Sequence, residues 1–172
     1  LEYHVVSLEN YAFIALKVGF EDGDPKPLLL EDSPEGLKVD WESYVCYQPV
    51  DIDRFSQERM VEPVEVRAYV KRDLFYAYDF ADESKFACYQ LTFRDSDVEL
   101  FGYVERGTKL DREFRKLFPE GASGGLKNPL ILSVSFVPGS RAPRSVKIND
   151  LLSRLWAYPS GSRDEAAKSE NE

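Results

Sequence analysis

The chain has 172 residues, enough for one full hydrophobic core or for a core with a subdomain. Apolar residues make up 43% of the sequence and aromatic residues 13%, which excludes an intrinsically disordered chain. The formal net charge of −9 argues against nucleic acid as a partner, but the distribution of this charge along the chain matters more than its sum.

The first segment, residues 1–61, is acidic, with 5 basic and 13 acidic side chains. Strands are expected at 11–20, 28–30 and 39–47, because apolar runs there are bounded by Asp, Gly and Pro. Residues 51–60 are expected to form a helical turn or a linker. A segment of this length is either a β-extension of the next domain or a partial second barrel. Its apolar run at 11–16, the longest in the chain, is too short to cross a bilayer.

Residues 62–157 are nearly neutral, with 15 basic and 14 acidic side chains. Apolar residues alternate with polar ones from Val64 to Lys71, the period-two pattern of a half-buried strand. Second and third strands are expected at 86–93 and 98–104. The short polar link between them is typical of a hairpin.

A helix is expected after Gly107, where Thr108 can cap the first turn and Asp111 can reach back as in a capping box. Its apolar face comprises Leu110, Phe114, Leu117 and Phe118. A fourth strand at 130–137 and a fifth centred on Val146 and Ile148 follow. Residues 150–156 are expected to form a short helix whose Leu151, Leu152, Leu155 and Trp156 plug one end of the core. Residues 158–172 are expected to be a disordered tail.

Three strands, a helix and two strands, in this order, are characteristic of the OB-fold, a five-stranded Greek-key barrel. Residues 64–156 resemble stand-alone bacterial OB-like domains, including those similar to tRNA-anticodon-binding modules. The resemblance rests on this order of elements and on the stretch Gly102-Tyr103-Val104, which leads through Gly107 into the capped helix. The resemblance implies a mainly β fold with one helix between strands three and four, preceded by a β-rich extension. It implies a fold rather than a function.

An OB-fold binds ligands across strands two and three, flanked by the loop after strand one and the loop between strands four and five. On these elements the candidate ligand-binding residues are Tyr76, Tyr78, Phe101, Tyr103, Arg141 and Arg144. Rings beside cations are typical of single-stranded nucleic-acid binding, because bases stack on rings and arginines neutralise phosphates. The same rings can instead pack under a neighbouring segment, for which the acidic N-terminal one is the candidate. Nearby acids that would repel phosphate are Asp73, Asp79, Asp82 and Glu83.

No catalytic residue is expected, because the single histidine, His4, leaves no general base for a serine or cysteine nucleophile. The three His and Cys residues are scattered, so no metal site and no cofactor are expected. The turn Asp22-Gly23-Asp24 lacks the remaining ligands of a calcium loop. Cys46 and Cys88 are expected to be buried thiols, with a disulfide between them as the alternative.

The sequence therefore favours a non-enzymatic interaction module that contacts an unidentified protein partner. The alternatives are single-stranded oligonucleotide binding through the OB-fold face and binding of a small molecule or sugar. Because the chain begins at Leu1 rather than Met, we expect a processed or trimmed form, and a signal peptide or anchor can precede it. A bacterial cell-envelope location is slightly favoured over the cytoplasm.

Overall fold

The structure is a computed structural model that describes residues 2–8, 11–20, 23–33, 35–119 and 127–158. The chain divides into two compact units. One combines Leu1–Tyr47 with Leu155–Glu172, and the other comprises Gln48–Arg154. The predicted tail after Tyr158 lies outside the described residues, as does Asp22 of the predicted turn.

The first unit contains an open antiparallel sheet whose four strands follow chain order. The strands are β1 (Glu2–Leu8), β2 (Tyr11–Phe20), β3 (Gly23–Ser33) and β4 (Gly36–Val39), followed by helix α1 (Trp41–Val45). On one face, Phe13 and Leu29 form a small core with Ala157.

The predicted strand at 39–47 is wrong beyond Val39. The Asp40 carboxylate accepts a hydrogen bond from the N–H of Ser43 at 2.8 Å and so caps α1. This local capping bond satisfies an amide at the helix start, and it outweighs the strand preference of the aromatic and β-branched residues that follow.

The second unit begins with helix α2 (Ile52–Glu58), so the helical alternative for residues 51–60 is correct. The barrel strands are β5 (Val64–Asp73), β6 (Phe86–Phe93), β7 (Ser96–Glu105), β8 (Asn128–Phe136) and β9 (Ser145–Ser153), with helix α3 (Lys109–Leu117) between β7 and β8. They close in the order β5-β6-β7-β9-β8. The β7–β9 pair is parallel and the other four pairs are antiparallel. The predicted mainly β, OB-like barrel with a helix between its third and fourth strands is thus confirmed.

The barrel core is filled by alternate residues of all five strands, and both helices add aromatic rings to it. Phe55 of α2 packs against Phe136, with ring centroids 5.2 Å apart. Phe114 of α3 packs against Tyr89 of β6 at 4.7 Å. Each helix therefore contributes a buried ring to the same core as the strands.

Helix α3 begins at the predicted cap. Thr108 Oγ1 accepts from the N–H of Asp111 at 3.1 Å, and the Asp111 carboxylate accepts from the N–H of Gly107 at 2.8 Å. The carboxylate also pairs with Arg115 at 2.9 Å. The capping-box arrangement is confirmed, with the amide of Gly107 as the one that the carboxylate reaches.

We expect Asp111→Asn to lower the free energy of unfolding by about 1–3 kcal/mol at neutral pH. Burial alone would raise the pKa of Asp111, but hydrogen bonds from Arg115 and the Gly107 N–H, with the positive charges of Arg115 and Arg106, lower it below 3.8. A carboxyl with a lowered folded pKa stabilises the fold above its unfolded pKa, and this contribution is lost as the pH falls through the folded value.

The difference in free energy of unfolding between Asp111→Asn and the wild type should therefore shrink as the pH falls below about 4. Urea unfolding at neutral pH and at acidic pH measures this difference. Glu113→Gln, on the same helix, is the matched control and should show little difference at either pH. An Asp111→Asn difference that is unchanged at acidic pH would contradict the role of the carboxylate.

The predicted helix at 150–156 is wrong, because β9 stays paired with β8 as far as Ser153, opposite Ile131. Two register shifts, each with one extra residue on β9, alter which β9 side chains turn toward the barrel. Leu151 packs on the core, whereas Leu152 is 38% exposed. Leu155 lies in the first unit and packs on its small core, so it does not plug the barrel.

Candidate binding face of the barrel

The outer face of β6 and β7 is covered by the β5–β6 loop, residues 74–85. Strand alternation turns Leu100 and Val104 toward the barrel interior, so Phe101 and Tyr103 face outward. Both are nevertheless buried, with only 6% and 1% of their surfaces exposed. They form a second core with Phe80 of the loop. The predicted alternative, rings packed under a neighbouring segment, is therefore correct for these two residues, but the segment that covers them is the β5–β6 loop and not the predicted acidic N-terminal one.

The loop covers this face by stacking ring on ring. Phe80 lies parallel to Tyr103, with centroids 4.1 Å apart and planes 1° apart. Phe75 stacks on Phe101 at 4.3 Å. The Tyr103 hydroxyl donates to the carbonyl of Phe75 at 2.7 Å. Each stacked pair contributes about 0.5–1.5 kcal/mol beyond its buried area, so the loop is held firmly on the strands.

Both ends of the loop are fixed by hydrogen bonds. At its start, the Asp73 carboxylate accepts from the N–H groups of Leu74 and Phe75 at 2.7 and 3.0 Å. At its end, Arg106 Nε donates to the carbonyls of Glu83 and Phe86 at 2.8 and 2.9 Å. Hydrogen bonds at both ends of the loop and stacked rings in its middle therefore hold it in place over β6 and β7.

The β8–β9 loop, residues 137–144, meets the β5–β6 loop beside this face. The Ser140 hydroxyl donates to the Asp79 carboxylate. The Arg144 guanidinium lies 5.2 Å from the centroid of the Phe101 ring and pairs with Glu99 at 3.3 Å. Of the predicted site residues, the structure thus brings Phe101 and Arg144 into direct contact.

The remaining three predicted site residues lie at different depths. Tyr76 is half-buried, with its ring centroid 6.5 Å from that of Tyr103. Tyr78 is 59% exposed and has a left-handed backbone with φ of 55°. Arg141 is exposed and forms no ion pair with any residue that the structure describes. Three of the six predicted residues, Tyr78, Arg141 and Arg144, are therefore exposed, and all three lie on the loops.

The exposed part of the β5–β6 loop is apolar. Leu74 is 77% exposed, Phe75 36% and Tyr78 59%. We call these three residues the loop tip. The sequence pointed to Tyr78 but not to Leu74, Phe75 or the anchoring Phe80. Their signal was the nearly unbroken apolar and aromatic run at 74–80, in which nothing distinguishes an anchor from an exposed residue.

Cys88 lies under the loop and is 1% exposed. Both cysteines are buried thiols outside any disulfide, which confirms the predicted thiols and makes the alternative of a disulfide wrong. Burial, together with the negative charge of Asp73, raises the pKa of the Cys88 thiol to about 12. The nucleophilic thiolate is therefore scarce at neutral pH.

We expect the thiol of Cys88, in a Cys46→Ala background, to react with a disulfide reagent on the order of 100-fold more slowly in the native protein than in denaturant. Because the pKa is raised to about 12, the native rate should still rise above pH 9 instead of levelling there. Stopped-flow absorbance at several pH values measures both effects. A rapid native reaction that levels near pH 9 would show that the loop does not cover the thiol.

Within the described ranges, no group of three or more His, Cys, Asp or Glu side chains is arranged to hold a metal ion. No helix in the described part of the chain has the length and apolar character that a membrane crossing requires.

On the outer face of β6 and β7, the β5–β6 loop stacks its rings on those of β7, and apolar side chains of the loop project beyond them. Comparison of the chain with protein-family models, curated proteins and solved structures found no significant match.

Proposed function

We propose that the chain is a non-enzymatic protein-interaction module whose contact surface is the loop tip. The observation that carries this proposal is the division of the β5–β6 loop into two parts. Phe80 is 4% exposed and anchors the loop, whereas Leu74 and Tyr78 project into solvent. A loop with no function beyond covering the barrel has no need to expose Leu74 and Tyr78 to this extent.

The fixed conformation of the loop favours binding. Association costs conformational entropy for every side chain and loop that becomes ordered, and a loop already held by stacked rings has less entropy to lose. Tyrosine and arginine side chains are enriched among interface hot spots, and the two loops expose Tyr78 and Arg141. The unpaired Arg141 lies next to Ser140, which bonds the loop at Asp79. We therefore expect the partner to present an apolar pocket for the tip and a carboxylate for Arg141.

The same geometry speaks against oligonucleotides as the main ligand. Bases need open ring faces, and the rings of Phe101 and Tyr103 are stacked against Phe75 and Phe80. Phosphates need available cations, and Arg144 is already paired with Glu99. Oligonucleotide binding through Tyr78 and Arg141 is therefore the competing outcome in the test.

Site-specific photo-cross-linking tests the proposal. A photoreactive phenylalanine at position 78 should cross-link one protein in extract of the source organism. The yield should fall by at least about tenfold when Leu74→Ser is added. The same probe at position 109, on α3, should give no such product. Lys109 is exposed there, with 86% of its side chain accessible.

A matched pair of variants separates a specific contact from nonspecific hydrophobic binding. Leu74→Ser with Tyr78→Ser should abolish binding to the identified partner. Val61→Ser with Leu152→Ser also removes exposed apolar side chains, 46% and 38% accessible, and should not affect binding. Salt-sensitive binding of a mixed single-stranded oligonucleotide that disappears in Arg141→Ala with Arg144→Ala would instead overturn the proposal.

A further inference from the structure

The four-stranded sheet of the first unit has an apolar face that the described residues leave open. The register aligns Val5 with Ile14, Ile14 with Leu30, and Leu30 with Val39. Residues directly opposite each other in neighbouring strands point to the same side of a sheet. These four aliphatic side chains therefore form one row across all four strands. Phe13 and Leu29, which pack in the small core, lie on the other face.

This face remains accessible over much of its area. Val5, Leu37 and Val39 are 63%, 58% and 52% exposed, and Ile14 and Leu30 are only half-buried. A second row on the same face pairs Leu16 with Leu28, which are also half-buried. Contiguous apolar surface of this kind marks an interaction site, whereas isolated exposed side chains do not.

The charges around this face select the kind of partner. Residues 23–47 carry six acidic and two basic side chains. Lys38 is already paired with Glu35 at 2.6 Å and lies on the opposite face from its neighbours Leu37 and Val39. Asp32 is exposed and pairs in register with Leu37, so its carboxylate borders the open face. The net negative charge of this segment, together with Asp32 on the face itself, disfavours a second copy of the chain and favours a basic partner.

We propose that the open sheet face is a docking surface for an amphipathic protein helix whose apolar stripe is flanked by Lys or Arg. A sheet with one uncovered apolar face is completed by packing a helix or a second sheet against it. The apolar stripe of the helix covers the aliphatic rows, and a flanking cation meets the carboxylate of Asp32. This surface belongs to the first unit, whereas the loop tip belongs to the second.

Fluorescence anisotropy with labelled synthetic peptides tests the proposal on the full chain. The probe is a helical peptide of Leu and Lys, about 18 residues long, with its leucines on one face. We expect it to bind, whereas a scrambled peptide of the same composition and a peptide with Glu in place of Lys should not. Scrambling keeps the charge and removes the apolar stripe, so it separates docking from simple attraction between opposite charges.

Variants locate the binding. Leu37→Thr with Val39→Thr should weaken binding at least about tenfold, since both side chains are more than half exposed and can be changed without loss of folding. Asp32→Lys should also weaken binding through charge alone and serves as the second variant. Leu74→Ser with Tyr78→Ser is the matched control and should bind as the wild type does, which separates this proposal from that for the loop tip.

Three results would overturn the proposal. The first is equal binding of the scrambled peptide, and the second is unchanged binding in both sheet variants. The third is a concentration-dependent dimer in light scattering that disappears in Leu37→Thr with Val39→Thr, because it would assign the face to a second copy of the chain. Circular dichroism confirms that each variant is folded before binding is compared.

Discussion

Phe80→Ala should lower the free energy of unfolding by about 3–5 kcal/mol, the usual cost of removing a buried phenylalanine ring. The Phe80 ring stacks on Tyr103 and meets Phe86 edge-on at 5.1 Å. Its loss removes the buried apolar surface and both ring contacts. Urea unfolding followed by circular dichroism measures the change. Tyr78→Ala, two residues away in the same loop but 59% exposed, is the control and should change stability by less than about 0.5 kcal/mol.

The same variant connects stability to the proposed function. Without its anchor, the loop no longer holds the tip in one place, so partner binding should weaken even though Phe80 is only 4% exposed. The Cys88 thiol should also react faster, because the ring that helps cover it is gone. If Phe80→Ala were as stable as Tyr78→Ala and its thiol equally protected, the loop would not be anchored as described.

Much of the barrel was predictable from the sequence because its elements follow local rules. Strand β6 was predicted with its observed ends, 86–93, and the cap of α3 was predicted from Thr108 and Asp111. Residues 150–153 were mispredicted because neighbouring apolar residues fit a helix locally, whereas pairing with β8 keeps them in a strand. The conformation of these residues depends on contacts with a distant strand, and a local sequence pattern carries no information about such contacts.

The candidate sites were less predictable for the same reason. Strand alternation places Phe101 and Tyr103 on the outer face of β7, but their burial depends on Phe75 and Phe80 of a distant loop. The register of β1 to β4 determines which aliphatic side chains of the first unit form a row. No sequence period carries this register across four strands. The sequence therefore indicated which residue types matter on the barrel face, and the fold determined which of them are exposed.

Gly102→Ala should lower the free energy of unfolding by about 1–3 kcal/mol, although alanine is the smallest possible addition. Gly102 faces the barrel interior, where a Cβ would lie 2.7 Å from Ile148 Cδ1 and 2.8 Å from its Cγ1. Ile148 is only 2% exposed, so its side chain has little room to move away. Overpacking at this point pushes β7 and β9 apart.

A double-mutant cycle with Ile148→Val identifies the cause. Valine lacks Cδ1, so Ile148→Val alone should cost about 0.5–1.5 kcal/mol, and the double variant should cost clearly less than the sum of the two single changes. Additive costs would show that Cδ1 of Ile148 is not the atom that limits the added methyl group. Because Gly102 lies between Phe101 and Tyr103, a displaced β7 also shifts the two rings on which the loop stacks. Gly102→Ala should then expose Cys88 to thiol reagents as well, and Ile148→Val should restore its protection, which links the packing of the barrel interior to the closure of its outer face.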